Sequence, residues 1–345
     1  MSIQNTDKKI LVTGGTGFIG SYLLRYLIQK GHTNIFALKR PASTFELLDG
    51  QEEKIKWIDC DLLDILGLED ALEGIQQVYH SAGVVSLDPK KRNHMLQVNQ
   101  EGTANLVNFS LHHGIEKFIH LSSIAALGRI RQGDTIDEKY KWERSKFNTH
   151  YAISKYGGEQ EVWRGTAEGL NAVVINPSMV LGAGPLSGGT QVFFNFVNNS
   201  FKYFPTGANG FVDVRDVVRM MYQLMESEVS EERFIASAEN FTYEQLMKSI
   251  AQKIDRPNPQ TAIKAWVRNM AWRVEWLKSK FSGNPPRLTR ESAMHSANSF
   301  YYKGDKSRTI LNFEYTPISK TIEETCAAYV KARANDFKKV ELLQF

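Results

Sequence analysis

Tyr151-Ala-Ile-Ser-Lys155 places a phenol and an ammonium at i and i+4, on one face of a helix and within reach of one ligand. About 28 residues upstream the pair Ser122-Ser123 closes an apolar run. Together these groups could manage a proton at a carbonyl or alcohol oxygen. A free phenol has a pKa near 10, and a neighbouring ammonium would favour the phenolate and draw that value toward neutrality. A shift of about three units corresponds to roughly 4 kcal/mol. Tyr151 would then give a proton to a carbonyl oxygen during reduction, or take one from an alcohol during oxidation. A serine hydroxyl would orient that oxygen. Tyr-x-x-x-Lys alone is common on surface helices, so its weight comes from the stretch that would hold a cofactor beside it.

That stretch runs from Lys9 to Gly20. Ile10, Leu11 and Val12 suit a buried parallel strand, three glycines follow, and Ser21 onward carries helical spacing. Gly14 can take the angles of a tight turn, Gly17 has no Cβ to block a pyrophosphate, and Gly20 lets the helix pack closely on the strand. An anion would then sit at the helix N-terminus. Gly31 ends the helix, and Asn34 to Leu38 reads as a second strand whose end should lie beside an adenosine ribose. There an NAD site places an acid, whereas this chain offers Lys39 and Arg40, two cations that suit the 2′-phosphate of NADP. Ile55 to Ile58 is a third strand; Asp61 would accept from the adenine amino group, and Asp64 would cap the next helix. Gln77 to His80 leads into a turn where Ala82 and Gly83 let a cofactor ribose lie against backbone. His80 reads as a packed or turn residue, and Asn99 as an internal bracket. Lys117 to Ser123 is strand five.

The chain has 345 residues and 42% hydrophobic content, enough to bury a large core as one large or two smaller domains. Forty-two basic against 38 acidic residues, dispersed along the chain, give no nucleic-acid footprint. Cys60 and Cys326 are too few and too far apart for a disulfide framework, and adjacent His112 and His113 cannot face one metal from a helix, so no metal is expected. The N-terminus lacks a signal peptide's apolar region, and no run approaches the roughly 20 apolar residues of a membrane span. A cytoplasmic protein is expected.

Thr13-Gly-Gly-Thr-Gly-Phe-Ile-Gly, Asp61-Leu-Leu-Asp, His80-Ser-Ala-Gly, Asn99, Leu121-Ser-Ser-Ile-Ala-Ala-Leu-Gly, Tyr151 to Lys155, Asn176-Pro-Ser-Met-Val-Leu-Gly-Ala-Gly and Phe211-Val-Asp-Val-Arg-Asp-Val occur in that order. Over nearly its whole length the chain thereby resembles the extended short-chain dehydrogenase/reductases. It is closest in pattern to the dihydroflavonol reductase and 3β-hydroxysteroid dehydrogenase-like members of the NAD-dependent epimerase/dehydratase group. The resemblance implies an α/β fold: a doubly wound parallel-sheet Rossmann domain, residues 1–180 plus about 211–237, and a smaller, mostly helical substrate domain, 181–210 and about 238–345. It implies catalysis by Ser123, Tyr151 and Lys155. It implies cofactor contacts from Gly14, Gly17, Phe18, Ile19, Gly20, Lys39, Arg40, Asp61, Leu62, Ala82, Gly83, Asn99, Tyr151, Lys155, Pro177 and Val180. His80-Ser-Ala-Gly departs from the family's commoner turn. The expected reaction is NADP-linked oxidoreduction of a largely apolar carbonyl or secondary alcohol. A nucleotide-sugar epimerase or dehydratase with tightly bound NAD is the alternative. Epimerases commonly carry Arg two residues before Phe211, where this chain has Asn209. A cofactor-sensing regulator would usually have lost Tyr or Lys. Helices like those of Asn99 and Tyr151 form dimer interfaces in many relatives, which makes a homodimer possible.

The polar stretch from Gly128 to His150 either borders the substrate or is solvated. Gly188-Gly-Thr, Phe193, Phe194, Phe201, Tyr203 and Phe204 would build the wall and lid of a cleft, with core packing the plainer reading. From Ala262 to Phe281, the residues Ile263, Val267, Met270, Val274, Leu277 and Phe281 form a stripe that should pack inward, with Trp272 and Trp276 roughly opposite. The tryptophans then need a second surface: another element of the substrate domain, a partner subunit or, given Lys264, Arg268, Arg273, Lys278 and Lys280, a membrane interface. Intramolecular packing is the first choice.

Overall fold

The computed structural model describes residues 6–86, 88–185, 189–282, 286, 288–336 and 340–345. Short apolar runs alternate with helices from the N-terminus onward. They are β1 (Ile10–Thr13), α1 (Phe18–Gln29), β2 (Ile35–Lys39), β3 (Lys56–Asp59), α2 (Ile65–Leu72) and β4 (Gln77–His80). Next come α3 (Arg92–Leu96), one π turn at Gln97–Glu101, α4 (Gly102–His112), β5 (Lys117–Leu121), α5 (His150–Ala167) and β6 (Ala172–Pro177). The second half adds β7 (Met179–Leu181), α6 (Gln191–Asn198), β8 (Ala208–Asp213), α7 (Val214–Met225), β9 (Glu232–Ala236), β10 (Glu239–Thr242) and α8 (Tyr243–Lys253). Helices α9 (Ala265–Ser282), α10 (Arg290–His295), α11 (Asp305–Ile310) and α12 (Ile318–Ala334) follow.

Seven strands form one parallel sheet in the order β9-β6-β5-β4-β1-β2-β3. Parallel strands need crossovers that cover both faces, so successive residues of one strand are buried on opposite sides. Ile10 and Val12 pack with Leu23, Leu27, Val217 and Met221 of α1 and α7. Leu11 packs on the other face with Leu68, Leu106 and Val162 of α2, α4 and α5. The order of connection reverses between β1 and β4, and in such sheets ligands bind beyond the strand ends at that switch point. This is the doubly wound Rossmann fold expected.

β5 stops at Leu121, two residues short of the expected strand. Ser123 instead turns to cap the 3-10 turn Ile124–Leu127, accepting from Ala125 N–H. β7, β8 and β10 make a smaller sheet, and α6, α8 and α12 bury Phe193, Phe194, Phe204, Tyr243, Ile250, Ile322 and Tyr329 against it. Three of the five aromatics expected at a cleft are therefore core. Phe193 stacks on Tyr243 and Phe194 lies against Tyr329. Phe201 and Tyr203 are exposed. Gly188 lies outside the described residues.

α9 departs most from expectation, because none of its residues is buried. Of the stripe expected to face inward, Met270, Val274, Leu277 and Phe281 are exposed and only Ile263 and Val267, at its start, are half-buried; of the tryptophans expected opposite, Trp272 is half-buried and Trp276 exposed. The pattern gives the apolar stripe correctly but not its direction, since amphipathicity identifies a face and not what lies across from it. Intramolecular packing, the first choice for the tryptophans, holds for Trp272, which is half-buried on a helix packed against α10, and not for Trp276, which is exposed.

α5 is fixed to the sheet by a buried charge. Glu159 is fully buried, pairs with Arg233 of β9 and accepts from Asn176 Nδ2 of β6. Removing one partner leaves a buried carboxylate uncompensated. Arg233→Met should lower the unfolding free energy by about 3–5 kcal/mol in urea titration, and adding Glu159→Gln should recover part of it. Additive losses in the double variant would show that the pair does not hold the helix.

Candidate active site

The first turn of α5 brings Tyr151 to the strand ends. Thr149 caps the helix by accepting from Ala152 N–H. The Ser123 hydroxyl lies near enough to the Tyr151 phenol to favour its ionised form. Ser122, its neighbour, is buried with an unpartnered hydroxyl on the other side of the chain. One turn after Tyr151, Lys155 is buried and its Nζ donates to Leu121 O at 3.0 Å. Burial draws the ammonium down to about 8, against the opposing pull of Glu159.

The phenol does not follow the sequence expectation. Burial pushes the Tyr151 pKa up; the Ser123 hydroxyl and the charge of Arg129 pull it back only in part. Lys155 is not among the groups that lower it: with its own pKa drawn down to about 8, the ammonium has lost its charge before a phenol raised above its ordinary value ionises. A raised pKa keeps the phenol protonated at neutral pH, the form that donates a proton to a carbonyl.

Asn99 is the bracket read from sequence. Its Oδ1 accepts from Val84 N–H at 2.7 Å, and its Nδ2 donates to Val84 O and to Ser154 Oγ, both at 2.9 Å. It thus ties the β4 turn to α5. Gly83 lies between: a Cβ there would stand 3.3 Å from Asn99 Oδ1 and 3.8 Å from Lys155 Nζ. Ala82 N–H is held by Thr13 Oγ1 at 3.1 Å. His80 is a packed residue, fully buried between Thr13 and Thr103. Burial, helped by Lys155, lowers its pKa to about 3.

The glycine turn fits a dinucleotide pyrophosphate. Gly14 has φ of 72°, and a Cβ on Gly20 would fall 2.1 Å from Gly14 O, so the helix can approach only without one. At Gly17 the one neighbour a Cβ would meet is Gly14 O, 3.2 Å away, leaving space in front of α1. That helix has no side-chain cap and no acid in its first turn, so its leading N–H groups, those of Phe18 and Ile19 among them, suit an anion. At the end of β2, Lys39 pairs with Asp59 of β3. Arg40 is exposed, and its guanidinium has no partner among the described residues. Asp61 Oδ1 accepts from Leu63 N–H, Leu62 is buried beneath Gly102, and Asp64 caps α2 as expected. Pro177 ends β6 where the chain passes to β7, and Val180 O takes the Thr190 hydroxyl.

Beside the start of α5 opens a cavity of about 330 Å³, lined by Lys146 to Thr149, Arg290, Glu291, Met294, His295, Asn298 and Phe300. The stretch from Gly128 to His150 thus borders it at its C-terminal end. The sequence reading missed Arg129, a buried guanidinium whose Nε donates to Tyr302 OH at 2.9 Å and which lies over the Phe300 ring. Its charge reaches both Tyr151 and His295. The pKa of His295 falls to about 3, through burial first and Arg129 second. Nothing in the sequence marks either residue, because Tyr302 and α10 come from 150 or more positions away. Arg215 is tied to Asp213 and Glu324, whereas Arg290 lines the cavity.

A family model described as NAD dependent epimerase/dehydratase family matches residues 10–236. The chain is 29% identical over 322 residues to a Synechocystis sp. protein provisionally named a dihydroflavonol 4-reductase, covering 91% of this chain and 92% of that one. It is 29% identical over 331 residues to sterol demethylase protein B of Methylococcus capsulatus, covering 94% and 97%. The crystal structure of gox2253 superimposes with a TM-score of 0.80 at 27% identity, covering 97% of this chain and all (100%) of the other.

The lowered Lys155 pKa has a sign that can be measured. Below pH 8 the ammonium is charged in both folded and unfolded chains and its burial costs stability; near pH 10.5 that cost is gone. Relative to Lys155→Met, the wild type should gain about 3 kcal/mol between those limits. Urea titrations of both proteins across that range check it, and a constant difference would refute the buried ammonium.

Proposed function

The chain belongs to the NAD dependent epimerase/dehydratase family, and on that premise we propose that it is an NADP-linked oxidoreductase acting on a carbonyl or secondary alcohol of a largely apolar small molecule. The meeting of Ser123, Tyr151 and Lys155 beside the glycine turn carries this reading. The Synechocystis sp. relative provisionally named a reductase, matched over 92% of its length, supports it. The nicotinamide would supply or accept the hydride. Ser123 holds the substrate oxygen, Tyr151 gives it a proton in reduction and recovers one in oxidation, and Lys155 holds the cofactor ribose while remaining charged. Gly14, Gly17, Phe18, Ile19 and Gly20 would receive the pyrophosphate, Asp61 and Leu62 the adenine, Ala82, Gly83 and Asn99 the inner ribose, and Pro177 and Val180 the carboxamide. Arg40, with Lys39 beside it, would select the 2′-phosphate. Residues 1–180 with about 211–237 would form the cofactor domain, and 181–210 with about 238–345 the substrate domain.

Phe147, Met294 and Phe300 give the cavity an apolar wall, replacing the aromatics of α6 as the ground for an apolar substrate. Lys146 and Arg290 in the same wall favour a second reading, a nucleotide-sugar epimerase or dehydratase, since two cations could compensate a buried diphosphate.

NADPH oxidation with a panel of aromatic and alicyclic ketones, beside a thermal-shift screen of nucleotide-sugars, separates the two. Ketone turnover that Tyr151→Phe lowers about 10²- to 10⁴-fold supports reduction. Conversion of a nucleotide-sugar without net NADPH use supports the second reading. Arg40→Ala should cost about ten- to hundred-fold in NADPH preference by calorimetry; equal affinity for NADH and NADPH in the wild type would remove the NADP assignment.

A further inference from the structure

An 18-residue helix that buries nothing is unusual in a chain with this much core. Successive helical residues step about 100° around the axis. Trp266, Met270, Val274, Leu277 and Phe281 therefore share one stripe about 80° wide. Their exposures are 64%, 57%, 45%, 50% and 87%. Of the half-buried residues, Arg268, Ala271, Trp272, Glu275 and Ser279 occupy the opposite arc, toward the protein, where α9 packs on α10, and Val267 lies just beyond the stripe's edge. So the apolar face of α9 points into solvent and its mixed face points to the protein, the reverse of an ordinary surface helix.

The charges around the stripe are of one sign. Arg273 and Lys280 border it on one side and Lys278 on the other, and Lys264 precedes the helix. Glu275, the only carboxylate in α9, is half-buried and lies 3.6 Å from the exposed Lys278, while Arg273 and Lys280 border the stripe with no acid of α9 beside them. Arg273 lies over the Trp272 ring and Lys280 over the Trp276 ring, so the cations stand on aromatic stems beside the stripe. A second copy of this helix laid against the first would bring like charges together. An anionic surface complements them.

We propose that α9 is a docking helix for an anionic lipid surface. Trp266, Met270, Val274, Leu277 and Phe281 enter the boundary between headgroups and acyl chains, and Arg273, Lys278 and Lys280 meet lipid phosphates. Amphipathic helices of this composition lie in the interface plane with the apolar face sunk about 5–10 Å, and long cationic side chains extend back to the headgroups. Because α9 packs on α10, and α10 carries Arg290, Met294 and His295 of the cavity, docking sets the cavity near the lipid. The helix lies in the interface and does not span it: no helix among the described residues is long and apolar enough to cross a membrane.

The test is flotation of the full chain with phosphatidylcholine vesicles, with and without phosphatidylglycerol. The wild type should float with the anionic vesicles, bind plain phosphatidylcholine at least ten-fold less, and lose binding as salt is raised. Leu277→Ser/Phe281→Ser should weaken lipid affinity by more than about ten-fold, and Lys278→Glu/Lys280→Glu by a similar factor. All four side chains are exposed, so circular dichroism, melting and NADPH binding should match the wild type. Failure to float with anionic vesicles overturns the proposal, as does flotation that neither double variant changes. A homodimer that Leu277→Ser/Phe281→Ser disperses, without lipid binding in the wild type, would also overturn it and assign the stripe to a second copy.

Discussion

Glu159 is the interaction on which the candidate site rests. A fully buried carboxylate in the middle of α5 needs compensation, and it finds Arg233 at the far edge of the sheet and Asn176 in the strand between. Asn176 in turn donates to Ser123 O at 2.8 Å. One charge thus sets the position of α5, which carries Tyr151 and Lys155, and of the turn that carries Ser123. Groups meant to act on one oxygen have to be held within a fraction of an ångström; a helix packed only by apolar contact could slide further than that.

The opposite side of α5 is fixed by close approach. A Cβ on Gly158 would fall 2.4 Å from Asn99 O, so the helix crosses the π turn with backbone nearly against backbone. That turn also aims the Asn99 side chain at Val84 and Ser154. A π turn displaces one residue from the ordinary hydrogen-bond ladder, and here the displaced stretch is the one that joins the β4 turn to α5. The β4 turn and α5 are therefore coupled through the Asn99 side chain.

Much of this was legible in the sequence because it is local. The strand runs, the glycine turn, the Asp64 cap and the i and i+4 spacing of Tyr151 and Lys155 depend on residues a few positions apart. Asn99 and His80 were read correctly for the same reason: each sits in a short motif whose neighbours define its place. What escaped depends on distant partners. Lys39 meets Asp59 through strand register, Phe193 and Phe194 are absorbed by α8 and α12, and Arg129 is set by Tyr302. The pattern from Ala262 to Phe281 identifies an apolar face, but its direction is decided by whether another element arrives to cover it.

The electrostatics of the site follow from those distant partners. Lys155 and Arg129 are both buried, and the nearest buried acid, Glu159, is already committed to Arg233. Arg129's charge reaches Tyr151, and Lys155 follows it by one turn of α5. Burial raises the Tyr151 pKa while Arg129 lowers it, and burial lowers that of Lys155 while Glu159 raises it, so desolvation leads in both cases and charge only moderates it. In such an environment a neutral phenol is the stable resting form, yet the surrounding field is positive. An oxygen that gains negative charge between Ser123 and Tyr151 would meet that field already in place, which is the condition under which preorganised charge lowers a barrier most. The burial that keeps the phenol protonated and the cations that would stabilise the oxyanion are consequences of the same packing of α5 against the sheet.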